Sequence, residues 1–338
     1  MTDATFVNRS GIAARLWELM GKRPELFTLT LVLVTIAAVA VANPAFLSMN
    51  NLFDILRASV IPGIFAMGVL VVLAAGGIDV SFTAIAALVM YSLTMLATNS
   101  FPGMPLWLML PCAAIGGVFL GLANGLLVHV LRAPSLIVTI GTQYIIRSFL
   151  LTFVGTALFM NIPSALDGFG RAALFTHLGP TGISSSLPAT VLVLAVVALA
   201  TWFILQRTLM GRAVFAAGGN PEIAKRLGFN LLYVRLFVFA WAGMLAGIAG
   251  IVHVASNRLA NPFDLAGMEL EIIAAVVLGG ARITGGSGTV VGTLLGVLLI
   301  TLVSNVLVFV GIPSTLQRTI IGAFILLAGT AFALRNRG

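Results

Sequence analysis

Charge is scarce in this 338-residue sequence: Asp, Glu, Lys and Arg make up 8 % of it, where a soluble domain carries roughly a quarter. That scarcity excludes a water-covered globular surface. There is one cysteine, Cys112, which excludes an intrachain disulfide or a cysteine metal cluster. It lies in an apolar run and reads as a small core hydrophobe. Neither of the two lysines, Lys22 and Lys225, follows a glycine-rich loop. A GxxxxGK[ST] phosphate cradle is therefore missing, and ATP hydrolysis of that kind would have to come from elsewhere. His129, His177 and His253 stand far apart without metal-ligand spacing. No metal site, cofactor or Ser/His/Asp catalytic arrangement is expected, and hence no enzyme.

Apolar residues are what the chain has: 60 % of it is hydrophobic and the mean hydropathy is +1.13. Apolar runs of about 18 residues or more recur, the length needed to cross a hydrocarbon layer of roughly 30 Å. The period-two alternation of a membrane β-barrel is missing. The expected fold is an all-α polytopic membrane protein of about ten transmembrane helices.

The expected spans are 27–42, 60–75, 82–98, 106–131, 134–154, 188–206, 236–255, 269–282, 289–310 and 315–334. Residues 1–26 form a basic, amphipathic lead suited to the cytoplasmic leaflet, and 27–338 the membrane domain. Ala40-Val41-Ala42 resembles a signal-peptidase site, but the long polar lead argues for a retained first helix. With the amino terminus inside, thirteen of the 18 basic residues fall on the inner side. Arg57, Arg171, Arg258 and Arg318 fall outside, and Arg147 within a span. That bias predicts a multi-pass protein of the bacterial inner membrane with both termini cytoplasmic. It also explains the net charge of +8 without nucleic acid. An outer loop, 155–187, is rich in Gly, Pro and Ser; an inner one, 207–235, is basic and has room for one or two helical turns.

Three pairs of segments match in order. Residues 64–68 resemble 238–242; Gly77-Ile78-Asp79-Val80-Ser81 resembles Gly267-Met268-Glu269-Leu270-Glu271; Ala133-Pro134-Ser135 resembles Ile312-Pro313-Ser314. In each of the last two pairs the first member falls on the inner side of the membrane and the second on the outer side. Spans two to five and seven to ten thus read as an inverted repeat, the architecture of transporters gated around a mid-membrane path.

Polar residues on apolar spans are the candidates for that path. Asp79 and Ser81, after Gly76-Gly77, read either as a gate hinge and substrate contact or as a plain helix cap. Thr139, Gln143 and Arg147 recur every four residues and share one helix face. An arginine inside a span faces protein or water, because lipid would cost at least a few kcal/mol, so Arg147 is either a path residue or a structural one. Asn124, Glu269 and Asn305 complete the set, with Gln317 a weaker member. The cluster Gly285-Gly286-Ser287-Gly288 reads as a chain break or close packing.

The inner segment from Gly211 to Phe229 carries start and stop signals for a short helix: Asn220 as cap, Pro221 at the first position, Gly228 past the end. Glu222 stands in its first turn and Lys225 and Arg226 in its last, each favoured by the helix dipole. Apolar Ile223, Leu227 and Phe229 want a cover.

The order GGIDVS, APSLIVTIG with Arg147, GRAVFAAGGNPEIAKRLGF, GMELEIIAAVVLGG and GGSGT resembles the ribose-type permeases of bacterial ATP-binding-cassette importers over roughly residues 46–330. Phe82 and Thr83 stand where that family tends to have smaller residues, and Ile223-Ala224 where it tends to have two alanines. The resemblance implies ten spans forming half of a dimeric channel, with a second permease subunit, identical or a sister. It implies an ATPase subunit gripping Gly219, Asn220, Pro221, Glu222, Ala224, Lys225, Arg226 and Gly228. An extracytoplasmic binding protein would deliver a sugar or sugar-like cargo, with a nucleoside or amino acid as alternatives. The rival reading is an ion-coupled carrier acting alone, which wants acids mid-span; by sequence Asp79, Glu269 and Glu271 fall at span ends.

Overall fold

The computed structural model describes residues 24–178 and 184–335. The amphipathic lead up to residue 23 lies outside them. Thirteen α-helices make up the described fold. They are α1 (Pro24–Ala42), α2 (Met49–Ala74), α3 (Phe82–Asn99), α4 (Leu106–Leu131), α5 (Ser135–Phe149), α6 (Ser164–Arg171), α7 (Thr190–Arg207), α8 (Leu209–Gly219), α9 (Pro221–Arg226), α10 (Leu231–Asn257), α11 (Glu269–Leu278), α12 (Val290–Phe309) and α13 (Ser314–Arg335). A hairpin of β1 (Ala173–Leu178) and β2 (Ser184–Pro188), paired antiparallel, follows α6.

Eight of the helices are long and apolar enough to cross a membrane. The two other expected spans correspond to α13, whose apolar stretch is Leu316–Thr330, and α11. At ten residues, α11 is about 15 Å long, half of a hydrocarbon layer. The second span begins earlier than its hydropathy implies: Ser48 accepts from the Asn51 amide and starts α2 at Met49, which carries Asp54 and Arg57 within the helix. The outer loop holds α6 and the hairpin rather than irregular chain. The inner loop is more helical than expected, because α8 and α9 both lie in it.

The interior is built mostly from α2, α3, α10 and α12, while α1, α4, α5 and α7 leave most of their surface facing outward. The tightest seam joins the two halves. On α4, Gly117 and Gly121 lie against the backbone of Gly243 and Phe239 on α10, and Gly247 against Ala113; the descending partners make the pair antiparallel. A methyl group on any of these glycines would collide with a backbone carbonyl, so small residues set the approach, as in membrane helix pairs generally.

The matched junctions also share geometry. Arg132 and Gly311, 179 positions apart, both take positive φ (52° and 79°). Pro134 O then accepts from the Ile137 and Val138 amides, and Pro313 O from those of Leu316 and Gln317, each again 179 residues on. The first junction borders the basic end of the bundle, near Arg235 and Gly219. The second lies at the opposite end, because α12 runs antiparallel to α11, packing Gly292 on Gly279 and Gly296 on Ala275.

Candidate functional site

The two acids matched by the repeat meet inside the bundle. Residues 75–81 leave the basic end and turn into α3, with Asp79 two residues before Ser81. The Ser81 amide and hydroxyl both donate to Asp79 Oδ1 (2.8 and 2.6 Å), and Asn124 Nδ2 on α4 donates to Ser81 Oγ (2.7 Å). The segment is anchored to α5 by two further bonds. Ser135 Oγ accepts from the Ile78 amide (2.8 Å) and Thr139 Oγ1 from the Val80 amide (3.3 Å). Of the two readings of Asp79 and Ser81, the plain cap of α3 by the Ser81 side chain does not hold, because that hydroxyl donates to Asp79 and α3 starts without a side-chain cap.

Glu269 opens α11 from the other half and accepts at Oε1 from Thr83 Oγ1 on α3 and from Gln143 Nε2 on α5 (the latter 2.9 Å). The first turns of α3 and α11 therefore face each other with a carboxylate at each, the sign a helix amino terminus favours. Asp79 is 2 % exposed and Glu269 7 %. Since α11 runs about 15 Å from Glu269 to the basic end, the meeting point lies near mid-membrane. The expectation that no acid lies mid-span is corrected here: Asp79 and Glu269 stand at span ends in sequence but at mid-depth in space, because the helices they open begin inside the layer. Asp79 Oδ2 is buried without a hydrogen-bond partner, a cost of roughly 1–3 kcal/mol unless a donor reaches it.

Above this knot, residues 258–268 form a non-helical plug. Arg147 Nη2 donates to Phe263 O (3.0 Å), Phe159 and Ala260 exchange both backbone bonds, and His253 Nε2 lies 3.0 Å from Asp264 Oδ2. Arg147 is thus a structural clamp in this conformation, with Nη1 buried and unpartnered. Of the eight path candidates, Asp79, Ser81, Asn124, Thr139, Gln143 and Glu269 come together, while Arg147, one turn further along α5, holds the plug instead. Asn305 on α12 is bonded to none of them, its Oδ1 buried and unpartnered. Gln317 spends its amide on Ile312 O (2.7 Å). Thr83 and Ser135 were missed as site residues; the departure at Thr83 was visible, its partner was not.

The second feature is α9. Asn220 Oδ1 accepts from the Glu222 and Ile223 amides (3.0 and 3.1 Å) and Pro221 takes the first helical position. At the far end Gly228 has φ +87°, with Gly228 N bonded to Lys225 O and Phe229 N to Ala224 O. That double closure is a Schellman motif, which halts a six-residue helix that would not persist alone. Ala224 is fully buried and seats the helix on its own chain, whereas Ile223 (53 % exposed) and Leu227 (67 %) face outward. Phe229 packs inward on the core, contrary to its expected exposure. Beside α9 a cavity of about 430 Å³ opens between Gly76-Gly77, Pro134-Ser135 and Gly218-Gly219.

Two matched halves whose acids meet inside the bundle, a short buried helix α11 and a capped helix at the basic end define a helical membrane permease. The chain belongs to the family described as branched-chain amino acid transport system / permease component, whose model matches residues 51–329. It is 33 % identical to the ribose import permease of Escherichia coli (strain K12), over 89 % of this chain and 91 % of that one. It is likewise 33 % identical to that of Bacillus subtilis (strain 168), over 97 % and 95 %. The galactose/methyl galactoside import permease of E. coli K12 is 32 % identical over 88 % and 90 %. No solved structure matches the chain. The protein is therefore a permease subunit of an ATP-binding-cassette importer and not an enzyme. Permeases of this family work with an ATPase subunit and a substrate-binding protein.

Proposed function

We propose that this chain forms the translocation path for a neutral sugar or sugar-like solute across the bacterial cytoplasmic membrane, as one of two permease subunits. The observation that carries the reading is the knot of Asp79, Ser81, Thr83, Asn124, Gln143 and Glu269, a set of hydroxyl, amide and carboxylate groups buried where the halves meet. Such groups bond polyol hydroxyls in either direction. Relatives named for ribose and galactose import support that cargo class.

In this reading an ATPase grips α9 through Ile223, Leu227 and the charges of Glu222, Lys225 and Arg226, while Asn220, Pro221, Ala224 and Gly228 hold its shape and Gly219 joins it to α8. Both termini lie on the ATPase's side. A binding protein delivers cargo at the opposite end, and ATP-driven movement of α9 loosens the knot so that cargo hydroxyls replace its internal bonds.

The test is reconstitution of the chain with its ATPase and binding protein in vesicles, scored for uptake of labelled pentoses and hexoses. ATP-dependent sugar uptake that leucine does not compete with is expected. Competition by leucine would move the cargo to amino acids, and uptake by the lone chain on an ion gradient would overturn the reading altogether.

A further inference from the structure

We infer that Gly218 is a positioning residue that ties the two membrane hinges to the coupling helix α9, so that both halves move together. The inference rests on the ATP-driven reading above and adds which atoms carry the motion.

Gly218 lies three residues before Pro221, where α9 starts. Its α-carbon rests on a hydrogen bond that joins the two halves, from the Gly286 amide to the Ala74 carbonyl (3.0 Å). A methyl group at 218 would collide with Ala74 O and lie 2.6 Å from Gly286 N. From the other side, a methyl on Gly285 would lie 2.7 Å from both Gly218 O and the Gly76 α-carbon. Gly76, Gly285 and Gly286 all have positive φ (80°, 90° and 76°), so each is a bend that side chains would strain. Three chain segments thus touch at bare backbone, with no side chain to act as a cushion.

Each bend leads directly to one acid of the knot. Gly76 precedes Asp79 by three residues. Gly285 and Gly286 follow α11, a rigid rod of about 15 Å whose far end is Glu269. Packed backbone of this kind transmits displacement rather than absorbing it. A shift of α9 therefore arrives at both acids in one step, and the first turns of α3 and α11 separate or close as a pair.

The test uses the assembled importer in vesicles. Gly218→Ala should keep insertion, co-purification with the ATPase and ATP hydrolysis, while solute taken up per ATP falls on the order of tenfold, within the range for disturbed direct contacts. Gly141→Ala, where a methyl meets nothing within 4 Å, should leave that ratio unchanged. Normal uptake per ATP in Gly218→Ala would overturn the inference.

A second measurement does not depend on Gly218 variants folding. In a Cys112→Ser background, Ala75→Cys and Thr284→Cys flank the cavity beside the two bends and can be joined by a short thiol cross-linker. If the bends move as one, uptake survives the cross-link; a block relieved by a cleavable linker would show independent motion and sink the proposal. Absence of ATP-dependent uptake in the unmodified chain would instead count against the importer reading.

Discussion

Asp79 and Glu269 occupy the same place in the two halves, yet they bond differently. Among the described residues Asp79 accepts within its own half, from Ser81, which Asn124 braces in turn. Glu269 accepts across the seam, from Thr83 and Gln143. One acid fixes its re-entrant segment; the other ties the halves together. Equivalent positions in a repeat can thus carry different tasks, one bracing its own segment and the other joining the two halves.

The largest effect should come from Asp79→Ala. It strips the acceptor from a buried amide and hydroxyl, at about 1–3 kcal/mol for a buried donor left unsatisfied, and a clear drop in the thermal midpoint of the detergent-solubilised protein should report it. A midpoint unchanged from the parent would erase the distinction between the acids. Glu269→Ala should cost uptake more than stability. A double-mutant cycle of Glu269→Ala with Gln143→Ala should give a coupling of about 1–2 kcal/mol. The cycle of Asp79→Ala with Gln143→Ala, which share no bonded partner, should be additive within about 0.5 kcal/mol. Equal coupling in both cycles would mean that the knot is one undivided network.

At the basic end Asn220→Ala should cost about 1 kcal/mol of local helix stability. Faster hydrogen exchange at the Glu222 and Ile223 amides and weaker recovery of the ATPase on purification would register it. The smallest effect is expected at Asn305→Ala: its Oδ1 already lacks a partner, so stability should stay within about 0.5 kcal/mol. A larger loss there would place α12 in the network after all.

Local signals in the sequence reached far. Asn220, Pro221 and Gly228 marked α9 within a residue, because caps and glycine stops act over one turn. The junctions at 132–135 and 311–314 were visible as a repeat and keep the same hydrogen bonds. The four-residue stripe on α5 brought Thr139, Gln143 and Arg147 to one face correctly. What stayed hidden was long-range. Thr83 and Glu269 are 186 residues apart, and no periodicity links them. Hydropathy could not see that α3 and α11 begin inside the layer, nor that His253 would pair with Asp264. The burial of Ala224 depended on how α9 seats on its own chain, which composition does not encode.

The shortness of α11 bears on how the chain enters the membrane. A ten-residue helix that opens with Glu269 and contains Glu271 is too short and too polar at one end to partition into lipid as an independent unit. Its neighbours α10 and α12, with 27 and 20 residues, can. Residues 258–289 would then be left as a polar tether between two inserted helices, to be drawn inward only when α3 and α5 are present to satisfy the Glu269 carboxylate and the plug's backbone. A second half made without α3 and α5, which supply the partners of Glu269, should therefore insert its long helices yet leave α11 accessible to aqueous thiol reagents.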